Sequence, residues 1–414
     1  MNRQTISERR AIEALRAGVP NGDAVRALSS AQSEIINAFD RKLGNAAEFH
    51  AKDATGFVIS GTFGSGKSHL VEELHQRALE SNFVSSKIAI SKETPLHLPA
   101  RVVQAAIGAM QAREKPAGFL LDTILGFQSS RPAAKDLKKW CGTAESGVSS
   151  TFRALLELRD EGIEDPEVID LVLKYFSGET VQITSIRRRM AEYGVSSPIE
   201  AVTSLDRPWQ TIRFLSRFCQ VSGYRGWVIF LDETELISKY GPISRARAYA
   251  QLGRWLGLRR DHRVDGLAVL ATVIDDFMFT VLGSKGDRWQ VPELLERKQR
   301  PADTAAIPFA TAAIAAIDDA VHLAPMTVSQ LRKAHSILRE AHSRAYGWDA
   351  PELDIEFRRQ NPMRLYVRRW INEWDLRRLY GVEAPADFED EDLSVDLSED
   401  DEVFEAPAWE DETD

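Results

Sequence analysis

The stretch Gly61-Thr62-Phe63-Gly64-Ser65-Gly66-Lys67-Ser68 decides how the rest of the chain is interpreted. It matches the pattern G-x-x-x-x-G-K-[ST], in which glycines let successive backbone N–H groups point inward and surround phosphate groups. Residues 57–60 just before it read as a short buried strand. The apolar residues after it recur at helical spacing: Leu70, Val71, Leu74 and Ala78. Strand, glycine loop and helix together predict a nucleotide-binding loop.

Individual residues of this phosphate loop have predicted chemical roles. Lys67 is expected to reach the β- and γ-phosphates, and the hydroxyl of Ser68 to ligate Mg²⁺. The helix that follows places the positive end of its dipole at the loop. We therefore take residues 61–68 and the adjacent His69 as the cofactor-binding set. The expected cofactors are ATP and Mg²⁺.

A second motif lies far along the chain. Residues 227–231 are an unbroken apolar run that ends in Asp232 and Glu233. A buried parallel strand reads as continuous hydrophobic residues and delivers its last residues to the carboxyl edge of the sheet, where the phosphate loop also lies. Asp232 is predicted to hold Mg²⁺, and Glu233 to orient the water that attacks the γ-phosphate. Glu235 is a competing candidate for the role of Glu233.

Two more residues complete the predicted catalytic set. Residues 267–272 read as a buried strand that ends in Thr272, whose hydroxyl can hydrogen-bond the attacking water or the γ-phosphate. Asp275 is the second choice for that position. Arg364 comes near the start of a late helix and is placed to reach the γ-phosphate. A surface position among neighbouring arginines explains Arg364 equally well.

The pattern of the chain predicts an α/β protein of the P-loop NTPase class (AAA+/ASCE-like). It has a three-layer parallel sheet, a large helical insertion and a C-terminal helical lid. Residues Gly18, Val19 and Pro20 are candidates for the adenine pocket, or form a plain helix stop. The predicted parts are N-terminal helices contributing to the nucleotide pocket (1–50), an ATPase core (51–112 and 210–320), the insertion (113–209), the lid (321–380) and an acidic disordered tail (381–414).

Charge is distributed unevenly along the chain. Of its 62 Asp and Glu residues, 16 lie in residues 379–414, which contain no Lys or Arg. The preceding part has 52 basic against 46 acidic residues, a net charge of +6, although the whole chain carries −10. The two cysteines form no C-x-x-C pair, and no apolar run of about 18 residues occurs. We expect a reduced, cytoplasmic protein without a membrane span or structural zinc.

Basic residues cluster at three other places. Lys135, Lys138 and Lys139 flank Trp140, and a run of three arginines occupies residues 187–189; each is either a nucleic-acid contact or a solvated helix face. The helix after the Asp-Glu strand is rich in arginine, which we interpret as surface charge rather than a finger acting on a neighbouring subunit. These arginines are Arg245, Arg247, Arg254, Arg259 and Arg260.

Several segments resemble the ATP-binding proteins of bacteriophage-exclusion (BREX) systems, of the BrxD type, within the AAA+/origin-recognition-like ATPases. The segment most specific to this family is Arg245-Ala246-Arg247-Ala248-Tyr249. The segments that carry the resemblance are residues 9–20, the phosphate loop, residues 231–236 and 245–249, residues 362–364, and Arg369-Trp370.

The resemblance implies an ATPase that acts on DNA–protein complexes in bacterial antiphage defence. Its implied partners are other phage-defence proteins, with double-stranded DNA and a second copy of the chain as further candidates. No clear winged-helix pattern is present. Two other functions stay open: a nucleotide switch or scaffold that does not depend on hydrolysis, and a replication-initiator or transposition-regulator ATPase.

Overall fold

The structure is a computed structural model that describes residues 3–48, 53–353, 361–382 and 397. Its strands are β1 (Phe57–Gly61), β2 (Val84–Ala89), β3 (Trp227–Asp232), β4 (Leu267–Ile274) and β5 (Val321–His322). Within the described residues they form one five-stranded sheet in the order β2-β3-β4-β1-β5, and every neighbouring pair is parallel. The prediction of a mixed α/β protein with a parallel sheet is confirmed.

Helices precede, connect and follow the strands. Before β1 lie α1 (Arg3–Ala17), α2 (Gly22–Ala27) and α3 (Ser33–Ala47). Between β1 and β3 lie α4 (Lys67–Glu80), α5 (Pro99–Gly108), α6 (Phe119–Gly126), α7 (Pro132–Trp140), α8 (Ser150–Glu161), α9 (Pro166–Phe176), α10 (Ile183–Glu192) and α11 (Arg207–Val221). After β3 lie α12 (Pro242–Trp255), α13 (Asp275–Phe277), α14 (Asp287–Arg297), α15 (Pro301–Asp318), α16 (Val328–Tyr346) and α17 (Met363–Tyr380). Shorter turns of 3-10 helix span Thr234–Lys239 and Arg260–His262, and a π-helix spans Met278–Ser284.

The central strands of the sheet are buried on both faces. Side chains alternate along β3, so Trp227 and Ile229 belong to one hydrophobic cluster, whereas Val228 and Phe230 belong to another. All eight residues of β4 are buried. Helices therefore cover both sides of the sheet, which explains why these strands read as unbroken apolar runs.

The helices between β2 and β3 share a core with one face of the sheet. Phe214 on α11 stacks on Phe152 at 4.5 Å between ring centroids and lies 4.6 Å from Phe176. These rings belong to the same buried cluster as Trp227. The predicted boundaries of the insertion, residues 113–209, stay a prediction.

The first and last helices of the described chain form a separate core beside the sheet. Its buried residues come from α1, α2, α16 and α17, with Ile12, Leu338 and Trp370 fully buried among them. Hydrogen bonds tie α1 to α16, since Arg9 Nε donates to the Ala345 carbonyl at 2.7 Å. The helices that we predicted as a nucleotide-pocket segment and as a lid therefore pack on each other.

Several predicted boundaries differ from the structure. The strand predicted to end at Thr272 continues to Ile274, because apolar residues on both sides keep it buried. Helix α2, just after the helix stop considered at residues 18–20, was not predicted; Asn21 caps it by accepting a hydrogen bond from the Ala24 N–H at 2.9 Å. Helix α16 begins with Thr327 as its N-cap, and Gln330 completes a capping box.

Most of the predicted acidic tail lies outside the described residues. Of residues 381–414, the structure describes Gly381, Val382 and Leu397. Leu397 is buried, and its carbonyl accepts a hydrogen bond from Lys285 Nζ at 2.7 Å.

Candidate nucleotide-binding site

The phosphate loop joins the carboxyl end of β1 to the start of α4. Its glycines take conformations that other residues rarely adopt, with φ of +71° at Gly64 and +106° at Gly66. At Gly61 a Cβ atom would come within 2.8 Å of the Ser65 hydroxyl oxygen. The Ser65 oxygen is buried and has no hydrogen-bond partner among the described residues. The loop is therefore shaped as a cradle with at least one polar atom left for a ligand.

Lys67 is held inside this loop. Its Nζ donates to the carbonyl oxygens of Gly61 at 2.9 Å and Thr62 at 3.1 Å. Burial lowers the pKa of Lys67, and the carboxylates of Glu235 and Asp232 oppose that shift. The ammonium group is thus positioned at the loop with acidic groups close by.

Asp232, Glu233 and Thr272 form one hydrogen-bonded unit at the ends of β3 and β4. The Thr272 hydroxyl donates to Asp232 Oδ1 at 2.5 Å, and the backbone N–H of Glu233 lies 3.1 Å from the same oxygen and 3.2 Å from the Thr272 hydroxyl. Thr272 is fully buried and directs its hydroxyl at Asp232. Its position in the structure is that of a residue that orients the Asp232 carboxylate.

Glu233 has a strained backbone. Its φ of +57° lies in the left-handed region, which is uncommon for residues other than glycine and recurs at functional sites. Its side chain is exposed, and partial burial of the carboxyl raises its pKa, with the charge of Asp232 adding to the shift. The turn at Glu233 aims the chain from β3 into the 3-10 turn that begins at Thr234.

Glu235 is the more deeply buried carboxyl of the motif. It is 7% exposed, and its Oε2 has no hydrogen-bond partner among the described residues. Burial raises the pKa of Glu235 to about 7, and the nearby Lys67 opposes that rise. A buried, unsatisfied carboxyl is costly to the fold, which is typical of a group reserved for a ligand or a reaction.

The cavity above the loop is closed by the core of terminal helices. It has a volume of about 260 Å³. Residues that sequence analysis did not select supply its apolar wall, because they lie on or beside helices with no nucleotide motif: Ala14, Leu15, Leu28, Met326, Met363 and Val367. Gly18 and Pro20, two of the candidates for an adenine pocket, also line it, whereas Val19 is 70% exposed and does not.

Arg364 lies at the rim of this cavity. Its backbone N–H donates to the Gly64 carbonyl at 3.3 Å, which ties the start of α17 to the phosphate loop. The Arg364 side chain lies against Gly18, where a Cβ atom would come within 2.8 Å of Arg364 Nε. Within the described parts of the chain, its guanidinium has no ion pair. The structure brings Arg364 to the cavity, together with the loop and the Asp-Glu motif.

His69 is not placed as a direct phosphate ligand. It lines the cavity, but its Nε2 lies 2.6 Å from the Leu28 carbonyl oxygen. Burial lowers the pKa of His69, so the neutral ring is favoured and its N–H donates to that carbonyl. His69 connects α4 to the segment after α2.

Two oxygen ligands are available for the predicted metal. Ser68 and Asp232 both line the cavity. No group of three or more His, Cys, Asp or Glu side chains suited to a metal occurs among the residues the structure describes. A hydroxyl, one carboxylate, water and nucleotide phosphates fit the ligand preference of Mg²⁺, which rarely uses an all-protein cage.

The arginines of α12 were interpreted as surface charge, and for Arg245 and Arg247 this is wrong. Arg245 is 3% exposed and forms a two-pronged ion pair with Asp287, at 2.5 and 2.8 Å. The Tyr249 hydroxyl donates to the same carboxylate at 2.8 Å. Arg247 pairs in the same way with Asp303, at 2.8 Å for both bonds. The block at 245–249 fastens α12 to α14 and α15.

A parallel sheet with a glycine-rich loop between its first strand and the next helix is consistent with the class of P-loop nucleotide-binding proteins. A sequence model of the family described as BREX system ATP-binding protein BrxC/D matches residues 4–128 and 137–286. The match spans more than half of the chain, and the chain belongs to this family. The resemblance inferred from the sequence is confirmed, and the family supports nucleotide binding and a role in BREX defence.

The family match covers the phosphate loop, Asp232, Glu233 and Thr272, and it ends before Arg364. No curated protein sequence matches the chain. Among the helices that the structure describes, none is long and apolar enough to cross a membrane.

Proposed function

We propose that this protein is a Mg²⁺-dependent ATPase that acts on DNA–protein complexes in BREX defence. The observation that carries the proposal is the hydrogen-bonded unit of Asp232, Glu233 and Thr272, which shares one cavity edge with Lys67 and the phosphate loop. Phosphoryl transfer depends mostly on positioning and charge stabilisation, so a few well-placed residues suffice. An AAA+-like P-loop fold is part of this proposal.

Each residue has a specific task in this proposal. The loop N–H groups and Lys67 bind the phosphates, which requires Lys67 Nζ to leave the Gly61 and Thr62 carbonyls. Ser68 and Asp232 would hold Mg²⁺, which supplies positive charge to the transferring phosphoryl group.

The remaining groups act on the reaction itself. Thr272 orients Asp232 by donating to Oδ1, Glu233 orients the attacking water, and Arg364 neutralises charge at the γ-phosphate. Arg364 lies on α17, so its contribution depends on the position of the core of terminal helices relative to the cavity.

The test compares ATP hydrolysis by the wild type and Glu233→Gln. The wild type should turn over ATP, and the variant should bind ATP with unchanged affinity and hydrolyse it at least about a hundredfold more slowly. Hydrolysis should be measured with and without double-stranded DNA and the other defence proteins. Absence of turnover by the wild type in every mixture would refute the proposal.

A nucleotide switch is the second candidate function. It is supported by the shared cavity wall, since Leu15 and Val367 come from the same core of terminal helices. ATP bound there fixes the position of that core without any hydrolysis. Under this alternative, Lys67→Ala abolishes phage protection in cells and Glu233→Gln leaves it intact; loss of protection with both variants favours the hydrolytic function.

A further inference from the structure

An arginine-lined cavity of about 480 Å³ lies at the other end of the sheet from the nucleotide. Arg213 and Arg217 reach it from α11, and Arg260 and Arg263 reach it from the segment before β4. Strand β4 separates this segment from the nucleotide site, because its eight residues at about 3.3 Å each span roughly 26 Å. We call these four residues and their cavity the arginine cleft.

Arg213 is the best-defined residue of the cleft. It is half-buried, and its guanidinium has no hydrogen bond or ion pair within the described part of the chain. Burial lowers the pKa of Arg213, and the charge of Asp265 opposes that shift. A partly desolvated cation without a direct partner costs free energy, which a bound anion would offset.

The backbone around Arg213 leaves room for its guanidinium. A Cβ atom on Gly147 would come within 2.5 Å of Arg213 Nη1, and Gly147 has a φ of +57°. The absence of a side chain at residue 147 therefore lets Arg213 lie directly against this loop. The guanidinium is placed by packing at a position where no described acid pairs with it.

The other arginines extend the positive charge across the cleft. Arg217 lies one helical turn from Arg213 on the same face of α11. Arg260 is exposed and has no hydrogen bond or ion pair with any residue that the structure describes. Burial lowers the pKa of the neighbouring His262; Asp261 opposes this shift, and Arg254, Arg213 and Arg259 add to it. The region is therefore electropositive in spite of nearby acids.

The acids that line the cleft do not neutralise it. Asp261 is directed at groups outside the four, since its carboxylate lies 3.5 Å from Arg259 and 3.8 Å from His262. Asp265 faces the arginines of α11, and Glu145 is exposed. Four arginines against three carboxylates leave the lining with a net charge of +1, and Asp136 of α7 acts on Arg217 from outside the lining.

We propose that the arginine cleft binds the backbone phosphates of DNA. A guanidinium stays charged when partly buried and offers paired N–H groups that match two oxygens of one phosphate. Beyond the cleft, α7 ends in the lining residue Trp140 and carries the exposed Lys135 and Lys139, with the exposed Asp136 among them. A strand with several phosphates can use both parts, which a single free phosphate cannot. This site rests on the proposed action on DNA–protein complexes and specifies the surface involved.

The test is the affinity of the full chain for fluorescein-labelled double-stranded DNA, measured by anisotropy without nucleotide over a series of salt concentrations. The double variant Arg213→Ala/Arg260→Ala should bind at least about tenfold more weakly than the wild type. The slope of log affinity against log salt should fall by about two, one for each phosphate that the variant no longer neutralises. A labelled single strand and inorganic phosphate as competitor serve as the other ligands.

The control variant Arg101→Ala/Arg297→Ala removes the same charge from exposed positions elsewhere. It should keep the wild-type affinity within about twofold. Equal losses in both double variants, no DNA binding by the wild type, or a cleft that binds inorganic phosphate while DNA affinity is unchanged would each overturn the proposal. If the alanine variant unfolds, Arg213→Lys/Arg260→Lys keeps the charge and should keep the salt slope while lowering the affinity.

The outcome is separable from that of the ATPase proposal. Lys67→Ala should retain the DNA affinity measured without nucleotide, because the phosphate loop lies at the opposite end of β4. Absence of ATP hydrolysis by the wild type, with DNA binding intact, would count against the ATPase alone. The reverse result would count against the cleft alone.

Discussion

Two sets of buried charges in this protein differ in whether their hydrogen-bonding groups have partners within the described chain. On α12, Arg245 shares Asp287 with Tyr249, and every charged group in that network has a partner within 2.8 Å. In the nucleotide cavity, Glu235 Oε2 has no partner in the described chain and Lys67 is held by carbonyl oxygens. Satisfied charges fasten helices together, whereas unsatisfied ones are kept for a ligand at a cost to stability.

The comparison also shows that the residues most specific to the family are not those that line the nucleotide cavity. The block at residues 245–249 was the most specific sequence signature, yet its buried arginines lie in ion pairs that hold α12, α14 and α15 together. The nucleotide cavity depends on a loop pattern that is far more widespread. A distinctive motif can therefore mark how a family packs rather than what it catalyses.

The largest expected effect comes from breaking the satisfied set. Arg245→Ala leaves the Asp287 carboxylate buried without its main partner, and should lower the free energy of unfolding by about 3–5 kcal/mol. Urea unfolding followed by tryptophan fluorescence measures this. Arg297→Ala, which removes an exposed pair with Glu293, should cost less than about 1 kcal/mol. Similar losses of unfolding free energy in Arg245→Ala and Arg297→Ala would show that the buried ion pair stabilises the fold no more than an exposed one.

The next effect is on ligand affinity. Lys67→Ala should weaken ATP binding by about 30- to 100-fold, or roughly 2–3 kcal/mol, because a charged hydrogen bond to the phosphates is removed. Titration calorimetry with Mg·ATP measures the change. The exposed lysine variant Lys135→Ala serves as the control and should bind ATP normally. Unchanged ATP affinity in Lys67→Ala would mean that this lysine is not part of the site.

An intermediate effect is expected from the unsatisfied carboxyl. Because the pKa of Glu235 is raised to about 7 in the fold from an ordinary 4.5, the unfolded chain releases its proton more readily, and stability falls as the pH rises through that interval. Glu235→Gln should therefore stabilise the nucleotide-free protein at pH 8 by about 3 kcal/mol and leave it unchanged near pH 4.

Thermal unfolding of both proteins across this pH range measures the difference. Glu93→Gln is a suitable control, because Glu93 is exposed on the surface. A constant difference between Glu235→Gln and the wild type at every pH would show that the carboxyl is not held in a costly state.

The smallest effect concerns the contact between Gly18 and Arg364 at the rim of the cavity. Gly18→Ala forces a left-handed φ of +71° on a residue with a side chain and displaces Arg364, so ATP affinity should fall by a few-fold, about 1 kcal/mol. Gly44→Ala is the matched control, because Gly44 lies in α3 with open space around it. Equal ATP affinity in Gly18→Ala and wild type would show that Arg364 does not depend on this contact.

Much of the sheet and the loop could be predicted because local physics decides them. Residues 227–231 can only be a buried strand, and the glycines of the phosphate loop permit one conformation that cradles phosphate. The Asp-Glu pair followed from the same reasoning, since a parallel strand must present its last residues at that edge.

The parts that escaped prediction depend on long-range contacts. The burial of Arg245 and Arg247 requires Asp287 and Asp303, which lie 42 and 56 positions further on and have no local signature. The two-residue strand β5 is too short to produce a recognisable alternation of apolar and polar residues. The apolar wall formed by Leu28 and Met326 depends on how the terminal helices pack, which no spacing within either segment reveals.

The core of terminal helices has a consequence for the order of assembly. Glu13 and Tyr346 hydrogen-bond across 333 positions, so α1 leaves the ribosome long before its partners exist. Contacts of such separation must overcome a large loop-closure entropy and form late. The sheet and phosphate loop can therefore assemble first, before the apolar face of α1 packs against α16 and α17. The roof of the nucleotide cavity is completed when α16 and α17 arrive.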